Sequence, residues 1–113
     1  MDIWKDSRKF VCMIYEVSKD FPSYELYGLG NQMRRSAVSV MANISEGSSR
    51  ISKKDFAHFL QFAYSSLMEV LSHCYHHFDL GYINDEKIKE IKPHIYMISN
   101  KLNALYRSQV NNV

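Results

Sequence analysis

A chain of 113 residues has room for one core, and 46% hydrophobic with 23% charged residues is the balance of a globular domain rather than a disordered segment. Four Gly and two Pro are too few for a turn-rich all-β fold, and no apolar run approaches the ~18 residues of a membrane span. The formal charge of +2 and the pI of 8.5 fall short of the pI above ~9 that marks dedicated nucleic-acid-binding domains.

The first predicted helix spans 3–19, with Asp2 as its N-cap. Ile3, Ser7, Phe10, Val11, Ile14 and Ser18 recur at three- and four-residue spacing and form one face. Phe21-Pro22 ends the helix, because the residue before a proline is pushed out of the α region. Residues 22–30 form a connector expected to fold down onto the bundle through Tyr24, Leu26, Tyr27 and Leu29, with Gly28 and Gly30 easing entry into the next helix.

The second helix spans 31–46, its core stripe is Met33, Ala37, Val40 and Ile44, and Gly47 is its expected stop. Residues 36–45 carry no charge, whereas an ordinary surface helix is charged on its outer face. Val38, Ala42 and Ser45 lie opposite or beside the core stripe, so a second covered face is expected, with Val38 and Ala42 at a subunit interface.

The third helix, 53–80, opens on a capping box of Ser52 and Asp55 and closes at Gly81. Its core stripe is Phe56, Phe59, Leu60, Ala63, Leu67, Val70, Leu71, Cys74 and Phe78. Ala57, Tyr64, Met68 and Tyr75 form a second stripe about a quarter-turn away. One core cannot easily use both, so these four are also candidates for a subunit interface. The fourth helix, 85–108, has Asn84 as N-cap and Ile88, Ile91, Ile95, Ile98, Leu102 and Leu105 in a heptad-like pattern. Pro93 predicts a kink near residues 90–92, and residues 111–113 read as a frayed tail. The whole chain, 1–113, reads as one all-α domain, an antiparallel up-down-up-down four-helix bundle that works as an oligomer.

Cys12 and Cys74 read as core or near-core thiols; a bridge between them is the alternative. With no disulfide framework and no signal-peptide-like run at the start, a reducing, cytoplasmic setting is the expectation. His73, His76 and His77 are the tempting metal cluster, with Glu69 one turn before His73. A di-iron bundle needs Glu-x-x-His on two helices, and the residue three after Glu69 is Ser72. A structural zinc site wants four ligands, and only one helix supplies a cluster. No metal or cofactor is therefore expected, and the three histidines read as partly exposed along a helix edge; His58 and His94 are isolated. Neither a nucleophile elbow, HExxH, P-loop nor dinucleotide fingerprint is present, so no catalytic residues and no enzymatic activity are expected.

Arg34, Arg35, Arg50, Lys53 and Lys54 are the candidate nucleic-acid-binding residues. They make two groups, because helix rise alone puts Arg35 and Arg50 over ~20 Å apart. In a ring, each group would repeat on one rim and its field would add. Arg34 and Arg35 also admit a structural reading, as hydrogen-bond donors to the 22–30 connector. The eight tyrosines fit core margins and subunit interfaces, or stacking on single-stranded bases.

Phe21-Pro22, Glu25 to Leu29, Gln32 to Ala37, Asn43 to Gly47 and Arg50 form a distinctive series, followed by Phe59-Leu60, Ala63 to Glu69 and Leu80 to Ile83. In this order and spacing they resemble the four-helix-bundle proteins encoded in intervening sequences of bacterial 23S ribosomal RNA genes. Where that family often carries Pro in its second helix, this chain has Met41, so no proline kink is expected there. The resemblance implies a ring-shaped homopentamer. Relatives include accessory proteins of diversity-generating retroelements, basic rings that contact nucleic acid and a reverse transcriptase. The family name records gene location and is no evidence of a ribosomal role. The expected function is a non-catalytic oligomeric module that binds RNA or DNA, or a nucleic-acid enzyme such as a reverse transcriptase, through a repeated basic rim. The alternative is a protein-binding scaffold with no nucleic-acid contact.

Overall fold

In the computed structural model, which describes residues 1–111, the four amphipathic segments form long helices around one core. They are α1 (Asp2–Ser18), α3 (Leu29–Ser48), α4 (Lys53–Asp79) and α5 (Asp85–Asn111), with a single-turn helix α2 (Ser23–Leu26) in the first connection. Side-chain ties across the helices run in opposite numerical directions. Ser36 and Ser39 of α3 meet Glu69 and Ser66 of α4, while Asp6 near the start of α1 pairs with Lys101 late in α5. Gln61 near the start of α4 bonds Tyr106 near the end of α5. Neighbouring helices are therefore antiparallel, and α1 closes against α5 to complete the four-helix bundle.

The core follows the 3.6-residue period. Ile3, Phe10 and Ile14 of α1 pack with Met33, Ala37, Val40 and Ile44 of α3 and with the isoleucine series of α5. Burying each of the larger side chains in this set contributes about 1.5–3 kcal/mol. The interior, more than intrinsic helix propensity, thus holds these helices in place.

Several helix ends differ from the sequence expectation. Met1 takes the N-cap position of α1, and Asp2 falls in the first turn, where its charge suits the helix dipole. Tyr24 and Tyr27 point into solvent, so of the four connector residues expected to fold down only Leu26 and Leu29 do. Gly28 and Gly30 have no positive φ. The second long helix begins at Leu29 and runs through Gly47 to Ser48. Gly47 is no stop: a Cβ there would lie 2.6 Å from Phe59 Cβ and 2.9 Å from the Phe56 ring, so its role is to let α4 approach. Asp55 N–H donates to Ser52 Oγ at 3.1 Å, the first half of the expected capping box. Gly81, at φ +83°, supplies the left-handed turn after α4. Lys87 N–H donates to Asn84 Oδ1 at 2.8 Å, which confirms that N-cap. The last helix continues through Pro93 and includes Asn111; Asn112 and Val113 lie outside the described residues.

On α4 the buried series is Leu60, Ala63, Leu67, Val70, Cys74 and His77. Phe78, one residue on, rotates by ~100° and stands 39% exposed instead of joining the core. Phe56, Phe59 and Leu71 are half-buried. Ala57, expected at a subunit interface, is buried within the chain because α5 lies along that side of α4. Cys74 is buried and its thiol is pushed up to about 12 by desolvation, while Cys12 is exposed; both thiols are free. No helix among the described residues is long and apolar enough to cross a membrane.

Candidate nucleic-acid interface

The five basic residues singled out in the sequence separate into two ends and into different roles. Arg34 is half-buried; its Nε donates to Ser18 Oγ at 2.6 Å and its guanidinium lies 5.0 Å from the Tyr15 ring centre. It ties α3 to α1, not to the 22–30 connector. Arg35 is exposed. Arg50 pairs with Glu46 and lies over the Phe59 ring at 4.8 Å. Lys53 and Lys54 are exposed in the first turn of α4.

What the antiparallel packing adds is the company of the α3–α4 turn. The start of α1 and the end of α5 lie at the same end of the bundle. That end carries Lys5, Arg8, Lys9, Arg50, Lys53, Lys54, Lys101 and Arg107 against Asp2, Asp6, Glu46 and Asp55, a formal excess of four positive charges. All eight basic side chains are exposed. Lys5, Arg8 and Lys9, together with Cys12, line a shallow recess of about 390 Å³, and Arg8 lies over the Trp4 ring at 5.4 Å. The opposite end holds Lys19, Arg34, Arg35, Lys87, Lys89 and Lys92 against Glu16, Asp20, Glu25, Glu69, Asp79, Asp85, Glu86 and Glu90, an excess of two negative charges. The molecule is 47 Å long. A Debye length of ~8 Å at physiological salt makes the two ends separate electrostatic surfaces. Lys5, Arg8, Lys9, Lys101 and Arg107 were missed in the sequence; the signal for the first three is a basic start to the first helix, and Lys101 and Arg107 of α5 join them only once the helices are laid antiparallel.

The proposed interface stripes also divide. Along α3, Ser36 donates to the Glu69 carboxylate, Ser39 bonds Ser66 and Asn43 donates to Ser39, so part of the uncharged run is spent on hydrogen bonds beside or within the bundle. Val38 and Met41 are half-buried and Ala42 and Ser45 exposed, leaving an uncharged outward strip. On α4, Met68 packs against the chain's own core, and Tyr64 and Tyr75 remain exposed. Lys92 of α5 places its ammonium over the Tyr75 ring at 5.2 Å and the Tyr96 ring at 5.9 Å.

The histidine cluster contains one correction. His77 is fully buried instead of lying at an exposed edge. Its ring packs 4.6 Å from Phe21 and 6.1 Å from both His73 and Tyr82, and neither ring nitrogen has a hydrogen-bond partner among the described residues. Desolvation, then the nearby His73 and His76, push its pKa down to about 4, opposed weakly by the Leu29 backbone, which makes no well-formed bond to the ring. His73 is also lowered, by burial first. Among the described residues no group of three or more His, Cys, Asp or Glu is placed to hold a metal ion.

The family model for the 23S rRNA-intervening sequence protein matches residues 1–104. No curated protein matches the chain.

Proposed function

The chain belongs to the 23S rRNA-intervening sequence protein family, and we propose that it is a non-catalytic, oligomeric module that binds nucleic acid through its basic end. The observation that carries this reading is the end-to-end charge difference, with eight exposed cations gathered from α1, the α3–α4 turn and α5. Side-by-side copies in a closed ring repeat that end on one rim, and the excess charge grows with the number of copies. The uncharged outer strip of α3, with Val38 and Ala42, is the proposed subunit contact, and five copies is the number the family resemblance suggests. Neutralising several phosphates releases their counterions, so affinity depends steeply on salt.

The test is an oligonucleotide titration at rising salt, with light scattering on the same samples. The parent oligomer binds at low salt with little sequence preference and loses affinity steeply toward physiological salt. Lys5, Lys9, Lys53 and Lys54 replaced together by Gln weaken binding and flatten the salt slope. Arg35→Gln, at the other end, leaves both unchanged. Absence of binding by the parent at low salt overturns the reading, and a monomer overturns the rim.

Exposed Phe62, Tyr75 and Tyr96 favour the second reading, a scaffold for a protein partner with no nucleic-acid contact. An apolar contact of that kind persists as salt rises, which separates the two.

A further inference from the structure

We infer that the groove between α4 and α5 holds unstacked bases of a single nucleic-acid strand whose phosphates rest on the basic end; this rests on the nucleic-acid reading above. Two recesses adjoin along the groove, of about 530 Å³ and 310 Å³, and share Gln61 and Tyr106 as walls. Volumes of this size are those of small-ligand sites, about 300–1,000 Å³. The smaller recess opens beside Lys54 at the basic end, and no carboxylate lines either one. An anionic strand entering there meets a cation first and no opposing charge afterwards.

The walls beyond that mouth carry the aromatic rings of Phe62, Tyr64 and Tyr106. Tyr64 is 37% exposed and lines the larger recess with its ring. The ring of Tyr106 is held by the bond from Gln61 Nε2 to its hydroxyl, at 3.2 Å. Aromatic faces accept any base by stacking, which is sequence-tolerant. Ser65 and Asn103 bring a hydroxyl and an amide to the wall of the larger recess, with no side-chain partner among the described residues. An amide donates and accepts, as the edges of bases require. In a duplex those edges are already paired and the faces stacked, so the groove selects single strands. From Lys54 to Tyr64, α4 rises about 15 Å, enough for a short run of nucleotides.

The experiment compares three fluorescent probes of equal length at one salt concentration: a single-stranded oligonucleotide, the same backbone without bases, and a hairpin duplex. Polyglutamate serves as a competitor, and circular dichroism and light scattering are recorded for each variant. The single strand binds tightest, and the abasic strand binds at least fivefold more weakly. Tyr64→Ala lowers single-strand affinity roughly five- to hundredfold, as loss of a stacking platform does. Tyr64→Phe retains it, and neither substitution alters binding of the abasic strand. Equal affinity for intact and abasic strands, or for Tyr64→Ala and the parent, overturns the groove while the basic end stands through its lysine variant. Competition by polyglutamate as effective as that by the single strand reduces the site to charge alone and overturns it. A change of oligomeric mass in Tyr64→Ala makes the groove a subunit contact and overturns it too. No binding of any probe removes the underlying reading together with the groove.

Discussion

At one end of the bundle, the first turns of α1 and α4 and the last turns of α5 hold exposed lysines and arginines around a short turn. At the other end, the α2 connection and the turn after Gly81 close over a buried histidine, with Phe21 and Ile83 inside and Tyr24 Oη 3.3 Å from Tyr82 Oη. The same four helices build both ends. The first keeps its polar groups in water, where a substitution changes charge and little else. The second has traded solvent for packing, so substitutions there act on the fold. The proposed binding surface and the packed, stabilising end are thus about one molecule-length apart.

The largest expected effect comes from emptying the closed end. Phe21→Ala should destabilise the bundle by about 3–5 kcal/mol, read from urea unfolding, because a buried ring is removed and the site cannot fully collapse. A loss under 1 kcal/mol would mean that this end is no more closed than the other.

Acid should attack the same end next. The His77 pKa of about 4 lies below its unfolded value near 6.5, so the unfolded chain binds the proton more tightly. The contribution is complete above pH ~6.5 and is lost as pH falls toward about 4, on the order of 1–3 kcal/mol. The lowered pKa of His73 acts with the same sign. Carboxylates titrate in the lower part of this window, so the measurement is the difference in unfolding midpoint between parent and His77→Phe across pH 4–7. Parallel pH profiles would remove His77 as the acid-sensitive element.

A smaller effect separates two adjacent arginines. Arg34→Ala should cost about 1.5–3 kcal/mol, since a charged donor to Ser18 and its stack on Tyr15 are lost together. Arg35→Ala should stay within about 0.5 kcal/mol. Equal effects would contradict the different roles assigned to them.

The smallest expected change in stability is at the basic end. Lys53→Gln with Lys54→Gln should leave stability within about 0.5 kcal/mol of the parent, and the melting temperature nearly unchanged, while weakening oligonucleotide binding. A large drop in melting temperature would show these lysines to be structural and collapse the contrast between the ends.

Much of the fold was legible because its signals are local. Pro22, Ser52, Gly81 and Asn84 mark helix ends through their own backbone or side-chain chemistry, and the isoleucines of α5 repeat with the helix turn. Gly47 was misread for a physical reason: a glycine that terminates a helix and one that admits a neighbouring helix look alike until the Phe56 and Phe59 side chains are placed beside it. Ala57 and His77 were misread similarly, since periodicity finds an apolar face but not how far the packed helices extend cover beyond it. Of the candidate site, Arg50, Lys53 and Lys54 could be found because they are close in sequence; Lys5, Arg8, Lys9, Lys101 and Arg107 join them only across helices.

The sequence by itself determined four long helices, both ends of α4, the start of α5 and much of the faces they bury, because helix periodicity and capping act over three or four residues. Only the tertiary structure decided which charges share an end, which arginine is tied to Ser18 and which histidine loses its water. Those outcomes depend on residues far apart in the chain, brought together when antiparallel helices close around a common core.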